Sequence, residues 1–233
     1  MGYKLLTRDM KTRKDCDNEM DWSDVGEWHE AKGSGGLCTN GVIHDYDDPW
    51  IAVVVNPAHA DIPDPVMYET ERGGPVMTDG LKCGCRRLRL TKSLIPPDVP
   101  LVQKVAFGIY VALTICDDPD FYQWAANWLS GKDRTYASAA AASDAVYAYA
   151  ARAAASAAYA AYAADDDHAA RAADHAAAYD AAYDAARAAA YAAAYASDAA
   201  SGAAARAAAY ASTRAARSNK DWKDIKAKAM RIK

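Results

Sequence analysis

Up to residue 94 the apolar positions of this chain fall in short runs and alternations, the pattern of strands. Residues 3–6, with Tyr3, Leu5 and Leu6, read as a first strand, and residues 25–30, around Trp28, as another. Gly33, Ser34, Gly35 and Gly36 read as a flexible loop, and residues 41–44 resume as a strand or its end. Asp47, Asp48 and Pro49 form a helix-start signal, an acidic cap followed by proline at the first helical position. The apolar run 50–55 is pulled two ways. Its β-branched content favours a strand and its start signal favours a short buried helix, with Asn56 and Pro57 ending it in either case. Residues 66–71 alternate weakly and lead into a turn at Gly73, Gly74 and Pro75. Residues 81–94 predict a half-exposed strand, apolar on one face through Leu88 and Leu90 and basic on the other through Arg86, Arg87, Arg89 and Lys92.

Beyond residue 98 the period lengthens. Apolar residues at 101, 102, 105, 106, 109, 110 and 113 predict a helix over 99–116. Asp117, Asp118 and Pro119 stop it and cap the next helix, 120–130, which carries Phe121, Trp124, Ala125, Trp128 and Leu129 on one stripe. Gly131 is its natural stop. A third regime follows, in which 47 of the 81 residues 137–217 are alanine. Alanine is the best helix former, so this stretch is expected to be helical. As one rod it would extend about 120 Å. The acidic cluster of Asp165, Asp166 and Asp167 and the Ser201–Gly202 step instead predict three antiparallel helices over 135–164, 167–199 and 202–217. Arg171, His175, Tyr179, Tyr183, Arg187, Tyr191 and Tyr195 recur every four residues, a row that drifts about 40° per step and suits ridge-into-groove packing. Tyr179, Tyr183, Arg187, Tyr191 and Tyr195 are therefore the expected surface for a protein partner or a second copy. A last short helix carries Trp222, Ile225, Ala229 and Met230.

The pattern divides the chain into four parts. Residues 1–98 form an α+β domain, a small mixed sheet, and residues 99–134 two connecting helices that cover a face of the sheet or bridge to the Ala-rich part. Residues 135–217 form an all-α Ala/Tyr-rich bundle or hairpin, and residues 218–233 a basic helix.

Charge and cysteine content narrow the function classes. The net charge of −4 gives no global attraction to nucleic acid. The tail is the exception: residues 218–233 hold six Lys or Arg against Asp221 and Asp224, so Lys223 and Lys226 are the candidates for non-specific phosphate contact. Five cysteines without regular spacing fit a reducing, intracellular setting. The spacing of Cys83 and Cys85 is not that of a zinc site, and neither a metal nor a cofactor is expected. The apolar run 105–116 is too short to span a bilayer and no apolar leader precedes residue 30, so no membrane association is expected. Leu6 occupies the position at which a myristoylation motif needs Ser or Thr.

Two clusters carry candidate chemistry. His44, close to Asp45, Asp47 and Asp48, could work with Glu69 as an acid–base pair. Arg86, Arg87 and Arg89 could bind phosphate or an acidic partner. The glycine run at 33–36 lacks the G-K-[ST] ending of a phosphate loop.

Leu37, Cys38, Thr39, Asn40, Gly41, Val42, Ile43 and His44 resemble a Cys–Gly–His motif of uncharacterised domains common in phages and prophages. The 56–60 segment, the strand around Gly80 and the segment from Trp124 to Arg134 are similar to the same proteins, which often continue into Ala-rich tails. The resemblance spans residues 3–140 and implies a phage or prophage context with no known activity. Residues 41–44 are also similar to small proteins grouped near the ADP-ribosyltransferase fold. The leading expectation is a non-enzymatic phage-type protein, in the cytoplasm of a bacterial host or in the virion, that self-associates or docks a partner through its Ala/Tyr helices. The alternatives are an ADP-ribosyltransferase-like or nucleotide-binding module in residues 1–134 and a nucleic-acid accessory protein acting through the tail.

Overall fold

The structure is a computed structural model that describes residues 1–12, 19–37, 39–114, 118–135, 137–142 and 222–233. It divides into two compact units, Met1–Val99 and Pro100–Lys233.

The first unit is α+β. Its strands are β1 (Gly2–Leu6), β2 (Lys11–Thr12), β3 (Met20–Asp21), β4 (His29–Glu30), β5 (Ile43–Asp45), β6 (Val66–Thr78) and β7 (Cys83–Leu94), with helix α1 (Pro49–His59) between β5 and β6. All pairings are antiparallel. β1 lies beside β6, β6 beside β7, and β7 carries both β4 and β5 on its other edge, while β2 and β3 make a separate ribbon. Tyr3 N donates to Tyr46 O (2.7 Å) and Tyr46 N to Tyr3 O (2.9 Å), tying the end of β5 back to β1. Strands β1, β6, β7 and β5 are thus linked in a ring that the single Tyr3–Tyr46 bridge closes, with β4 at the end of the sheet. The core beneath holds Leu6, Trp22, Ile43, Cys85, Leu88 and Leu90.

Run 50–55 is helical. Asp48 accepts hydrogen bonds from Trp50 N (2.9 Å) and Ile51 N (3.1 Å), and Pro49 sits at the first helical position. Cap and burial override the β-branched content: Trp50, Ile51, Ala52, Val54 and Val55 are buried, and α1 packs on β1. Asn56 and Pro57 do not end this helix, which runs on to His59. Pro57 falls in the last turn, where its missing N–H removes a single bond, and Asn56 finishes the helix instead. Its carbonyl accepts from Ala60 N and Asp61 N, and its side chain brackets Ile62 from both sides.

Three other expectations change. Of residues 25–30 only His29 and Glu30 are strand; Gly26, at φ +99°, turns the chain first. Gly73, Gly74 and Pro75 are not a turn but an irregularity inside β6, where the register with β7 shifts between Gly73 and Val76 and Gly74 takes φ +86°. The hairpin turn lies at 79–82, where Asp79 Oδ1 accepts from Leu81 N and Lys82 N, both at 2.9 Å.

The second unit contains α2 (Leu101–Ala112), α3 (Pro119–Leu129), a helical segment at 137–142 and α4 (Trp222–Ala229). Helices α2 and α3, expected as connecting helices, belong to this unit, and in the first unit α1 packs on β1. Asp118 caps α3 by accepting from Phe121 N at 2.8 Å. Gly131, at φ +77°, closes it: Gly131 N donates to Trp128 O and Lys132 N to Asn127 O, which satisfies the orphaned carbonyls. α4 packs on α2 through Trp222, whose ring lies 6.3 Å from Phe107, with Ile225 and Ala229 buried beside it. Met230, expected on the same face, is exposed. The predicted bundle lies outside the described residues apart from 137–142. No helix among the described residues is long and apolar enough to cross a membrane.

Candidate functional site

A cleft of about 560 Å³ opens in the first unit. β1 contributes Lys4 and Leu5, β2 Thr12, β3 Met20 and β5 Ile43 and His44, with Tyr46 following. Thr39 and Asn40 come from the loop before β5, His59, Ala60 and Ile62 from the end of α1 and the chain after it, and Lys82 from the hairpin turn. Among the described residues no Asp or Glu lines it. Its polar side chains are two lysines, two histidines, three hydroxyls and one amide, above an apolar floor.

Its cations are held in place. Lys4 is buried, donates from Nζ to the His44 carbonyl at 2.7 Å and sits 4.9 Å over the ring of Trp22. Trp22 in turn donates from Nε1 to Thr12 Oγ1 at 3.0 Å. His59 stacks on Tyr46, rings nearly parallel at 11° and 6.1 Å apart, with Tyr46 Oη and His59 Nδ1 3.3 Å from each other. Burial pushes the His59 imidazole down to about 4; the charge of Lys82 adds to this and that of Asp79 opposes it. Burial likewise raises the Tyr46 phenol above its ordinary value. At neutral pH this pair is an uncharged donor–acceptor surface beside the Lys82 ammonium.

Thr39 and Asn40 reach the cleft from a loop whose described residues are hydrogen-bonded to one another. Gly33 N donates to Asn40 O at 3.1 Å, and Thr39 Oγ1 donates to Gly36 O at 2.7 Å while accepting from Gly41 N at 3.1 Å. A Cβ at Gly41 would lie 2.5 to 2.8 Å from backbone atoms of Ser34 and Gly35, so only glycine allows the two limbs to meet.

His44 lines this cleft and Glu69 does not; Glu69 stands opposite Tyr3 in the β1–β6 register. The basic residues of β7 are not pooled into one phosphate site either. Arg86 Nη1 donates to Gly33 O (2.6 Å) and Gly41 O (3.1 Å). Arg87 and Arg89 lie 5.0 and 4.8 Å over the ring of Trp28 and pair with Glu30 (3.0 Å) and Glu71 (2.6 Å). In the tail Lys223 is exposed and Lys226 half-buried on α4, and Lys228 pairs with Asp224. Tyr179, Tyr183, Arg187, Tyr191 and Tyr195 lie outside the described residues, as does Cys38.

A second polar cluster, which carried no sequence signal, closes the strand ring. Asp45 is fully buried and accepts from Thr70 Oγ1 at 2.6 Å and from Arg72 Nε at 2.8 Å. Arg72 Nη1 reaches Asp47 at 2.7 Å. A Cβ at Gly2 would lie 2.8 Å from Thr70 Oγ1 and closer still to Asp45 and Arg72, so glycine makes room for the carboxylate. Burial pushes Asp45 up against the pull of Arg72 and Thr70, and it pushes the thiols of Cys83 and Cys85 up to about 11. Those thiols stay protonated at neutral pH and are poor nucleophiles. Among the described residues no group of His, Cys, Asp and Glu could hold a metal ion.

No protein-family model matches this chain, and neither a curated protein nor a solved structure matches it.

Proposed function

We propose that the first unit is a recognition module for a small phosphorylated ligand of the nucleotide class. The observation that carries this reading is the lining of the cleft: Lys4, His44, His59 and Lys82 with Thr12, Thr39, Asn40 and Tyr46, and no carboxylate among the described residues. Such a set donates hydrogen bonds and positive charge without repelling an anion. The volume falls in the range of small-molecule sites, about 300–1,000 Å³, and Leu5, Met20, Ile43 and Ile62 offer an apolar bed for the body of the ligand. Binding is favoured over ADP-ribosyl transfer because Glu69, the carboxylate that chemistry would use, stands outside the cleft.

Calorimetric titration of the full chain with AMP, NAD and inorganic phosphate, with adenosine as the uncharged control, tests the reading. Binding of the phosphorylated compounds is expected, weakened about tenfold or more in Lys82→Met because a charged hydrogen bond is lost. No heat with any of the three, or binding of adenosine as tight as that of AMP, overturns it.

A second reading concerns the Ala/Tyr stretch: a phage-type assembly role by self-association or partner docking, as a close-packed helical bundle. What favours it is the composition of the stretch, 47 alanines in the 81 residues 137–217, together with the anchoring of the described residues on either side of it in the second unit. The residues after it are held by α4 on α2, by Gln103 Nε2 donating to Met230 O (3.1 Å) and by Arg134 Nη1 donating to Lys233 O (2.9 Å). Light scattering at high micromolar concentration is expected to show a mass above 24.9 kDa. A strict monomer with no protein partner in pull-downs removes this reading.

A further inference from the structure

Arg86 is one of three arginines on β7, yet its guanidinium makes neither the ring contact nor the carboxylate pair of the other two. It crosses to the loop before β5 and bridges the carbonyls at the two ends of that loop, Gly33 O and Gly41 O, with a single nitrogen. Between those anchor points lie Thr39 and Asn40, the residues the loop contributes to the cleft. Among the described residues the rest of the loop is held by its own backbone, by the Thr39 hydroxyl and by Leu37, whose side chain packs against Gly84 of β7. Gly33 N donates to Asn40 O, Thr39 Oγ1 bonds to Gly36 O and Gly41 N, and Gly35 takes φ +111° at the bend. These bonds shape the loop and Leu37 lays it on β7, and among the described residues the Arg86 bridge is the hydrogen-bonded fastening between the loop and β7.

We propose that Arg86 is a positioning residue that sets the ligand preference of the cleft by fixing the wall formed by Thr39 and Asn40, without touching the ligand itself. The proposal rests on the ligand-binding reading of that cleft. The two walls have different chemistry. Lys82 supplies charge and His59 a hydrogen-bonding ring, which suit the phosphate; Thr39 and Asn40 supply a hydroxyl and an amide, which read the polar edge of a larger body. A loop freed from β7 leaves the first wall intact and blurs the second. Loss of Arg86 therefore acts on the body of the ligand and spares its anionic head, and a purely structural role would not make that distinction.

The test compares inorganic phosphate with AMP by calorimetric titration of the full chain, wild type against Arg86→Gln. In the wild type AMP is expected to bind more tightly than phosphate. In Arg86→Gln the affinity for AMP is expected to fall about tenfold, the equivalent of one or two hydrogen bonds, with the affinity for phosphate within about twofold of wild type. Amide exchange at Gly33, measured by NMR, is expected to accelerate in the same variant. Arg86→Lys, which keeps a cationic donor but loses the reach and planar geometry of the guanidinium, is expected to fall between, and it carries the test if Arg86→Gln does not fold. Failure of the wild type to bind either compound removes the ligand-binding reading and the inference with it. Binding of phosphate as tight as that of AMP leaves the anion site standing and overturns the inference. Equal losses for both compounds, or no loss for AMP, also overturn it.

Discussion

Three residues of the first unit show how position changes what a side chain does. Lys4, in a strand, is buried against Trp22 and spends its charge on a backbone carbonyl and on the cleft. Arg86 became a latch because the loop carbonyls lie within its reach. His59 is the residue whose titration should be visible. Its imidazole has an ordinary value of 6.5 and is held near 4 by burial and by Lys82, against Asp79, with the neutral Tyr46 stacked on it. The unfolded chain therefore takes up this proton first as pH falls. The contribution of neutral His59 to stability is whole above about pH 6.5 and is lost progressively towards pH 4. Urea denaturation across that window should show a decline that is shallower in His59→Gln. A bound anion beside His59 acts in the opposite direction, raising its value, so proton uptake on binding AMP is expected. The measurement is a binding enthalpy at pH 6 that depends on the ionisation enthalpy of the buffer.

At the scale of elements, caps did more than propensity. Run 50–55 is rich in valine and would suit a strand, but Asp48 satisfies two N–H groups and Pro49 presets the first turn. Asp48→Ala is expected to cost about 1 kcal/mol, read as a lower urea midpoint at unchanged slope. The same logic made α3 readable at both ends, from the Asp118 cap to the Gly131 stop. The strands were less readable. Gly73, Gly74 and Pro75 have the composition of a turn, yet β6 continues through them because β7 pairs on both sides of the irregularity. Lys11, Thr12, Met20 and Asp21, which form β2 and β3, carry no period at all and depend on each other. The tail belongs at this scale too. Trp222, Ile225 and Ala229 are buried parts of the second unit, so removing the tail would remove core as well as charge. Lys223→Glu with Lys226→Glu is the cleaner probe of the nucleic-acid reading. If retention on DNA cellulose is salt-sensitive and falls in this double variant, the tail binds phosphate; unchanged retention ends that reading.

For the first unit as a whole, the decisive event is closure of the strand ring. Tyr3 and Tyr46 make the backbone seam, and the Asp45–Arg72 pair makes the side-chain clasp inside it. Removing one partner leaves the other charge buried without compensation. Arg72→Met is therefore expected to cost about 3–5 kcal/mol. Hydrogen exchange should localise the damage: amides of β1 and β6 lose protection while those of α3 keep theirs. Protection lost equally in α3 would show that the two compact units do not unfold separately.

The sequence by itself determined the elements whose causes are local. A cap acts over three residues, a helical stripe over one or two turns and a strand alternation over a few positions, and each of these is present in the chain order. That is why β1, β7, α2, α3 and the buried positions of α4 could be read, and why the α+β character of the first unit followed, while run 50–55 stayed open between strand and helix. The tertiary structure alone decided what those elements bring together. Lys4 meets the His44 carbonyl 40 residues away, and Arg86 meets Gly33 across 53. Thr70 and Arg72 meet Asp45 across 25 and 27. Contacts of that separation depend on how strands register and how a ring closes, and no local pattern records them. His44 was singled out for the acids beside it in sequence. What surrounds it in space is a cleft of donors, with the nearest of those acids, Asp45, buried in the clasp with Arg72.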